Sequence, residues 1–128
     1  MAKFGTVEVY EEMARLLNSD AQWLEKGKPI SYSFVFEYTE PVNKAFFQRF
    51  DQGKVVDVRE LDRTDAEPAD FRISARPEVW RDVMEGRTKP AIALTKGQLK
   101  LQGSMGTLMK HMKAFNHILD SMSAVELV

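Results

Sequence analysis

Aromatic side chains at every second position of one short segment constrain the fold of this chain more than any other feature. The segment begins at Ile30, and the residues between the aromatic ones are mostly small or polar. Because successive side chains of a β-strand point to opposite faces, this period of two predicts a half-buried strand. Its aromatic face requires a covering layer, and its edges require partner strands. The alternating aromatic residues are Tyr32, Phe34, Phe36 and Tyr38.

Alternation and turn signals predict four further strands. The residues Asp51-Gln52-Gly53-Lys54 form a tight hairpin signal between two of them. The first three strands follow one another closely, which predicts antiparallel pairing. In the last strand, the leucines at 99 and 101 are predicted to face inward. The five predicted strands cover residues 30–38, 44–50, 55–61, 70–75 and 98–102.

Four segments carry apolar residues at helical spacing and predict the covering layer. Thr6 is placed to cap the first helix, and residues 18–20 can divide it in two, because their side chains compete for backbone hydrogen bonds. Pro77 suits the first turn of the second helix, and Gly86 ends it. The predicted helices cover residues 7–24, 77–85, 90–94 and 104–122.

Residues 90–94 are compatible with a single additional helical turn, and without it the order of these elements is helix, four strands, helix, strand, helix. It predicts an α+β fold in which a five-stranded, mostly antiparallel, twisted sheet is covered on one face by helices. The length of 128 residues falls within the usual size of one domain. We therefore expect residues 1–128 to form a single domain around one core.

Composition and motif content argue against several classes of function. The chain has no cysteine, which rules out disulfides, thiolate nucleophiles and cysteine-ligated metals. No metalloprotease helix, P-loop or nucleophile elbow is present, so we expect neither an enzyme nor a bound cofactor. His111 and His117, on one predicted helix, point about 120° apart and are not expected to share a metal ion. A pI near 6.1 argues against nucleic-acid binding.

The sequence also bears on location. The first residues lack the basic region and long apolar run of a signal peptide, and no segment is apolar over the ~18 residues of a membrane span. The last residues, Leu127 and Val128, do not form the Ser-Lys-Leu peroxisomal signal. We therefore expect a cytoplasmic protein.

Basic residues cluster in the C-terminal half of the chain. Residues 81–113 carry seven Lys or Arg against two Asp or Glu, although the net charge of the whole chain is −1. One interpretation is an ordinary solvated surface. The other is attraction to an anionic head group or, transiently, to an anionic membrane surface.

Four of the seven methionines lie along the predicted terminal helix. Their flexible thioethers adapt to ligands of varied shape, whereas a plain core usually prefers the stiffer Leu and Ile. Such a methionine face is compatible with an ordinary core or with the wall of a cavity. Gly103 and Gly106, where this helix begins, indicate either a tight strand-to-helix junction or an anion site. The four methionines are Met105, Met109, Met112 and Met122.

Several short motifs occur in an order that is hard to obtain by accident. They are Phe34-Val35-Phe36, Phe50-Asp51-Gln52-Gly53-Lys54, Ala69-Asp70-Phe71-Arg72-Ile73, Pro77-Glu78-Val79-Trp80 and the succession from Pro90 to Ser104. With this set, the chain from about Leu17 to Phe115 resembles the sterol-carrier-protein-2 family. The resemblance implies a five-stranded sheet and helices that enclose an apolar tunnel for fatty acyl chains, acyl-CoA, phospholipids or sterols.

Together with the residue patterns, the resemblance predicts a ligand tunnel between sheet and helices, in a monomer or homodimer that holds no metal ion. A head group would lie near Ser104, Lys100 or Lys110. The alternative is a non-catalytic interaction or accessory module whose core is filled by its own side chains. The predicted lining comprises Phe34, Phe36, Phe46, Phe50, Phe71 and Ile73 from the strands, and Trp80, Met84, Met105, Leu108, Met109 and Met112 from the helices.

Overall fold

A computed structural model describes residues 1–128, and its elements follow the predicted order. The strands are β1 (Ser33–Tyr38), β2 (Lys44–Asp51), β3 (Lys54–Glu60), β4 (Phe71–Ala75) and β5 (Lys100–Gln102). The helices are α1 (Val7–Asn18), α2 (Ala21–Lys26), α3 (Pro77–Met84), α4 (Pro90–Thr95), α5 (Met105–Lys110) and α6 (Met112–Asp120), followed by a 3₁₀ turn (Ser121–Ala124). None of the helices is both long enough and apolar enough to span a membrane.

The five strands form one mixed sheet in the order β3-β2-β1-β4-β5. Three of the four strand pairs are antiparallel, and β1 pairs with β4 in parallel, so the predicted fold class is confirmed. The predicted hairpin lies between β2 and β3. Gln52 and Gly53 both have positive φ, at 50° and 87°, as the favoured two-residue hairpin turn requires.

One face of the sheet carries the alternating aromatic side chains and is covered by helices. The ring of Tyr10 in α1 stacks on Phe46 at 4.8 Å and lies 5.0 Å from Phe36, between centroids. From α2, the indole Nε1 of Trp23 donates a hydrogen bond of 2.7 Å to the carbonyl of Gly53. The first two helices therefore fill the β1–β2–β3 half of this face with side chains.

The opposite face of the sheet carries a second, smaller apolar cluster. Val35, Ala45, Phe47 and Leu61 are all buried there, and Ala69 packs against them. Polar side chains lie beside this cluster, where Arg72 forms an ion pair of 3.0 Å with Glu37. The alternation in β1 predicted one buried face, but the loop between β3 and β4 shields part of the other face as well.

The predicted break in the N-terminal helix is confirmed. Thr6 caps α1 by accepting a hydrogen bond from the backbone N–H of Glu8. The carboxylate of Asp20 accepts hydrogen bonds from the backbone N–H groups of Gln22 and Trp23, at 3.0 and 3.3 Å. The first helix therefore ends at Asn18, and a second helix begins behind the cap at Asp20.

The prediction of one continuous terminal helix over residues 104–122 is wrong. At His111 the backbone has φ −119° and ψ 30°, which are not helical values, and the chain begins a new helix at Met112. Helix α5 buries none of its residues, whereas α6 buries Phe115, Ile118 and Leu119. Helical spacing therefore does not continue across the break, although Met105 and Met112 on either side of it both line one cavity.

Candidate functional site

An apolar cavity lies beneath the short helices of the C-terminal half. It has a volume of about 460 Å³, and 12 of its 14 lining residues are apolar. A concave, mostly apolar space with few polar groups is typical of small-molecule sites. The lining residues are Phe34, Ile73, Ala91, Leu94, Thr95, Leu99, Leu101, Met105, Leu108, Met112, Phe115, Asn116, Ile118 and Leu119.

The sheet supplies the floor of the cavity. Phe34 comes from β1 and Ile73 from β4, and Leu101 in β5 lies opposite Ile73 in the antiparallel ladder. The ring of Phe115 in α6 meets that of Phe34 edge to face, with centroids 5.5 Å apart. The floor therefore belongs to the β1–β4–β5 half of the sheet, which α1 and α2 do not fill.

Helix α4 forms one wall. Pro90 occupies its first turn, and Ala91, Leu94 and Thr95 line the cavity. These three positions have the spacing of one helical face. The helix is anchored through Ala93, which is fully buried.

Helix α5 lies over the cavity as a loosely held cover. It contributes Met105 and Leu108 to the lining, although none of its residues is buried. Ser104 caps it by accepting a hydrogen bond of 3.2 Å from the N–H of Thr107. Gly103 permits the turn from β5, since its φ is 145° and an added Cβ would lie 2.4 Å from a ring carbon of Phe71. The predicted strand-to-helix junction is thus present.

Two polar side chains line the cavity, and neither is ionisable. The hydroxyl of Thr95 donates a hydrogen bond of 3.0 Å to the carbonyl of Ala91 within α4. The amide of Asn116 makes no hydrogen bond with the protein through its side chain, and the residue is half-buried. Asn116 is therefore the one lining side chain with a free donor and acceptor for a bound molecule.

Comparison with known proteins identifies the family to which this chain belongs. The family model described as the SCP-2 sterol transfer family matches residues 13–116. The chain belongs to the SCP-2 sterol transfer family. Membership supports sterol or lipid binding or transfer as its general function, and proteins of this family are typically non-catalytic carriers. A comparison with curated proteins gives no significant match.

Solved structures of the SCP-2 type share the fold. A crystal structure of sterol carrier protein 2 is 22% identical and superposes with a TM-score of 0.81, covering 92% of this chain and 95% of that one. A conserved hypothetical protein from Thermus thermophilus is 21% identical, with a TM-score of 0.79 over 100% of this chain and 92% of that one. The ubiquinone synthesis protein UbiJ-SCP2 is 15% identical, with a TM-score of 0.62 over 98% of each chain.

Of the twelve residues predicted to line the SCP-2 tunnel, five line the cavity. Five others lie in the solid core and do not line the cavity, although the rings of Phe36 and Phe50 pack against Phe34, which does. The remaining two are Phe71, which packs on Phe115 with ring centroids 4.8 Å apart, and Met109, which is 72% exposed. The five in the lining are Phe34, Ile73, Met105, Leu108 and Met112. The five in the solid core are Phe36, Phe46, Phe50, Trp80 and Met84.

Sequence reasoning missed part of the lining. Leu99 and Leu101 were predicted to face inward but were not assigned to the site, and Phe115 and Leu119 carry the helical spacing of the predicted terminal face. The spacing of the apolar residues within α4 is a further signal from which its role as a cavity wall could have been predicted. Nothing in the local sequence distinguishes Asn116 from a surface asparagine.

The cavity wall α6 is tied to the N-terminal helices through one side chain. The Nε2 of His117 lies 3.1 Å from the Oδ2 of Asp20. The imidazole ring of His117 also packs on the indole of Trp23, with ring centroids 5.2 Å apart. Hydrogen bonds from the backbone N–H groups of α2, together with His117, hold the pKa of Asp20 below its ordinary value. This contact connects the filled half of the sheet to the half that contains the cavity.

Proposed function

We propose that this chain binds an apolar ligand in the cavity between the β1–β4–β5 half of the sheet and α4–α6, and transfers it. The observation that supports this most strongly is the cavity of about 460 Å³ with its almost wholly apolar lining. Sites for small molecules commonly have volumes of about 300–1,000 Å³. The candidate ligands are a fatty acid, an acyl-CoA, a phospholipid or a sterol.

The chemistry of the lining favours loose selectivity. Burial of each ligand methylene contributes roughly 0.8 kcal/mol before the costs of ordering the ligand. A long hydrocarbon can therefore bind without any specific polar contact. The free amide of Asn116 supplies one polar contact, which suits a ligand with a single hydroxyl or carbonyl group.

The lining also favours a carrier over an enzyme. A nucleophilic mechanism requires a nucleophile beside a base, and the two polar lining side chains, Thr95 and Asn116, include no base. The only hydroxyl of the lining, that of Thr95, donates its hydrogen bond to a backbone carbonyl of its own helix. These features support binding without chemical change of the ligand.

The alternative is an interaction module with a filled core. In that case the space under α4–α6 would be occupied by the protein's own side chains. The open volume, together with a cover helix that buries none of its residues, favours a ligand site instead.

The direct test is to identify what the protein carries. The chain is purified from a host cell, and native mass spectrometry and solvent extraction are combined with displacement of the fluorescent fatty acid cis-parinaric acid. We expect a copurifying lipid and saturable displacement by long-chain fatty acids or sterols. A protein that carries no lipid and binds no fluorescent fatty acid contradicts the proposal.

A further inference from the structure

A long stretch of the chain around the cavity contains no acidic residue. Residues 86–119 include Arg87 and five lysines but no Asp or Glu. Arg87 pairs with Asp82 and Glu85, which precede the stretch. None of the five lysines forms an ion pair, and all are exposed: Lys89, Lys96, Lys100, Lys110 and Lys113.

Exposed large apolar side chains concentrate in the same elements. Outside them, the exposed large apolar residues are the two chain ends and Val56. Within them there are four, which are between 42% and 72% exposed. They are Ile92 in α4, Met105 and Met109 in α5, and Met112 in α6. We call these four side chains and the five unpaired lysines the mouth surface.

Two members of the mouth surface lie at the edge of the cavity. Met105 and Met112 are both exposed to solvent and part of the cavity lining, so the apolar interior reaches the outside between them. Met112 also borders a neighbouring concavity. The lining of that concavity includes three lysines and two histidines but no carboxylate. These basic residues are Lys26, Lys110, Lys113, His111 and His117.

We propose that the mouth surface docks onto an anionic lipid bilayer. The four apolar side chains would enter the interface between head groups and acyl chains, while the unpaired lysines contact the lipid phosphates and carboxylates. Basic residues around a protruding apolar patch are the pattern of proteins that lie on membranes, and the negative potential of an anionic leaflet attracts them.

Docking in this orientation opens the cavity toward the acyl chains. Helix α5 covers the cavity and buries none of its residues, so its displacement breaks little packing. A lipid can then pass between bilayer and cavity without crossing water. This step of the inference rests on the proposed ligand binding, whereas the docking itself does not require it.

The test is co-sedimentation of the full chain with vesicles of phosphatidylcholine, with and without phosphatidylserine. We expect binding to the phosphatidylserine vesicles that weakens with added salt, and little binding to phosphatidylcholine alone. The double variant K110E/K113E should bind at least tenfold more weakly. The control K3E/K54E changes the net charge equally, at exposed lysines outside residues 86–119. It should bind within about twofold of wild type.

An apolar pair of variants separates insertion from simple charge attraction. Met109→Gln removes the most exposed side chain of the patch, and Val56→Gln is its control on β3 at 48% exposure. We expect the first to weaken vesicle binding severalfold and the second to leave it unchanged. If K110E/K113E does not fold, K96E/K100E makes the same charge change at two other lysines of the mouth surface.

Each outcome decides the proposal. Equal losses in K110E/K113E and K3E/K54E, or equal binding to neutral and anionic vesicles, would overturn docking through the mouth surface. Displacement of cis-parinaric acid from wild-type protein without vesicles is measured in parallel. Ligand binding without vesicle binding would refute only this inference. Vesicle binding without ligand binding would refute the proposed function and the passage of lipid into the cavity, and would leave the docking itself standing.

Discussion

The hydroxyl of Tyr10 in α1 donates a hydrogen bond of 2.9 Å to the hydroxyl of Tyr38 in β1, and both residues are fully buried. Burial raises the pKa of Tyr10 well above its ordinary value, and the neighbouring Tyr38 adds to the increase. Burial also raises the pKa of Tyr38. The pair therefore stays neutral, and it joins the first helix to the central strand.

This pair predicts a loss of stability at alkaline pH. Below the ordinary tyrosine pKa of 10.0, the two hydroxyls are protonated in both the folded and the unfolded chain, so the pair contributes its full stability. As the pH rises above that value, only the unfolded chain ionises readily, and the free energy of unfolding falls. The variant Y10F/Y38F should lack this part of the decline, as measured by urea unfolding across the alkaline range.

The single tyrosine variants should behave differently from the double one. Y10F or Y38F alone leaves one buried hydroxyl without its partner, at a cost of about 1–3 kcal/mol. The double variant should cost clearly less than the sum of the two. Additive losses would contradict a direct bond between the hydroxyls.

Asp20 predicts a loss of stability at acid pH. Its pKa is held below the ordinary value of 3.8, mainly by the backbone N–H of Trp23 and also by His117. The stabilisation by its carboxylate is present above that value and is lost as the pH falls through the lowered pKa. Asp20→Ala should lower the melting temperature near neutral pH, with a smaller difference from wild type in strong acid.

Asparagine at this position separates capping from the contact with histidine. Asp20→Asn keeps a side-chain oxygen for the N–H groups of α2 but loses the charge opposite His117. Its melting temperature should lie between those of wild type and Asp20→Ala. Identical melting temperatures for Asp20→Asn and Asp20→Ala would show that capping does not contribute.

Gly103 is predicted to be the least replaceable glycine near the cavity. Gly103→Ala places a Cβ 2.7 Å from the carbonyl oxygen of Asp70 at a φ of 145°, so we expect a destabilisation of about 2 kcal/mol or more. Gly97→Ala tests positive φ alone, because nothing lies within 4 Å of its added Cβ, and should cost about 1 kcal/mol. Thermal unfolding of the two variants compares these costs.

Gly106 provides a control of opposite sign. It lies inside α5, and the nearest atom to an added Cβ is the Ser104 hydroxyl at 3.9 Å. Gly106→Ala should stabilise the protein by up to about 1 kcal/mol. A Gly103→Ala variant as stable as Gly106→Ala would contradict the close approach described at the junction.

Filling the cavity should strongly weaken ligand binding. Leu94→Trp adds a large ring at a half-buried lining position in α4, and we expect its affinity for cis-parinaric acid to fall at least tenfold. Val56→Trp is the matched control on the exposed side of β3. Fluorescence titration measures both, and equal affinity in Leu94→Trp and wild type would place the ligand elsewhere.

Asn116 should affect ligands with a polar end. Asn116→Leu removes the free amide of the lining, and we expect a loss of about two- to tenfold in affinity for a fatty acid or sterol, the equivalent of one hydrogen bond. Binding of pyrene, which has no polar group, should not weaken. A loss of equal size for both ligands would mean that the substitution changes the shape of the cavity rather than its polarity.

The local features of this fold were predictable because their causes lie within a few residues. The caps at Thr6 and Asp20 satisfy N–H groups two or three positions ahead, and the turn at Gln52 and Gly53 depends on its own backbone angles. The aromatic alternation of β1 likewise predicted the face that the helices cover. These features require no knowledge of distant neighbours.

The lining of the cavity was only partly predictable, because it depends on what fills each half of the sheet. Phe34 and Phe36 stand two residues apart on the same face of β1, and both carry the same pattern. Tyr10 covers Phe36, whereas Phe34 faces the space beneath α4–α6. Met109 lies in α5, which buries none of its residues, and the apolar spacing does not reveal this exposure.

By itself, the sequence determined the strands, the order of the elements, the hairpin, the starts of the first helices and the face of the sheet that the helices cover, since each follows from short-range periodicity and backbone chemistry. Only the tertiary structure decided that β4 pairs with β1 in parallel, that the terminal helix breaks, and that the cavity occupies one half of the sheet. Those outcomes depend on long-range packing, where the volume that α1 and α2 fill determines the volume that remains beneath α4–α6.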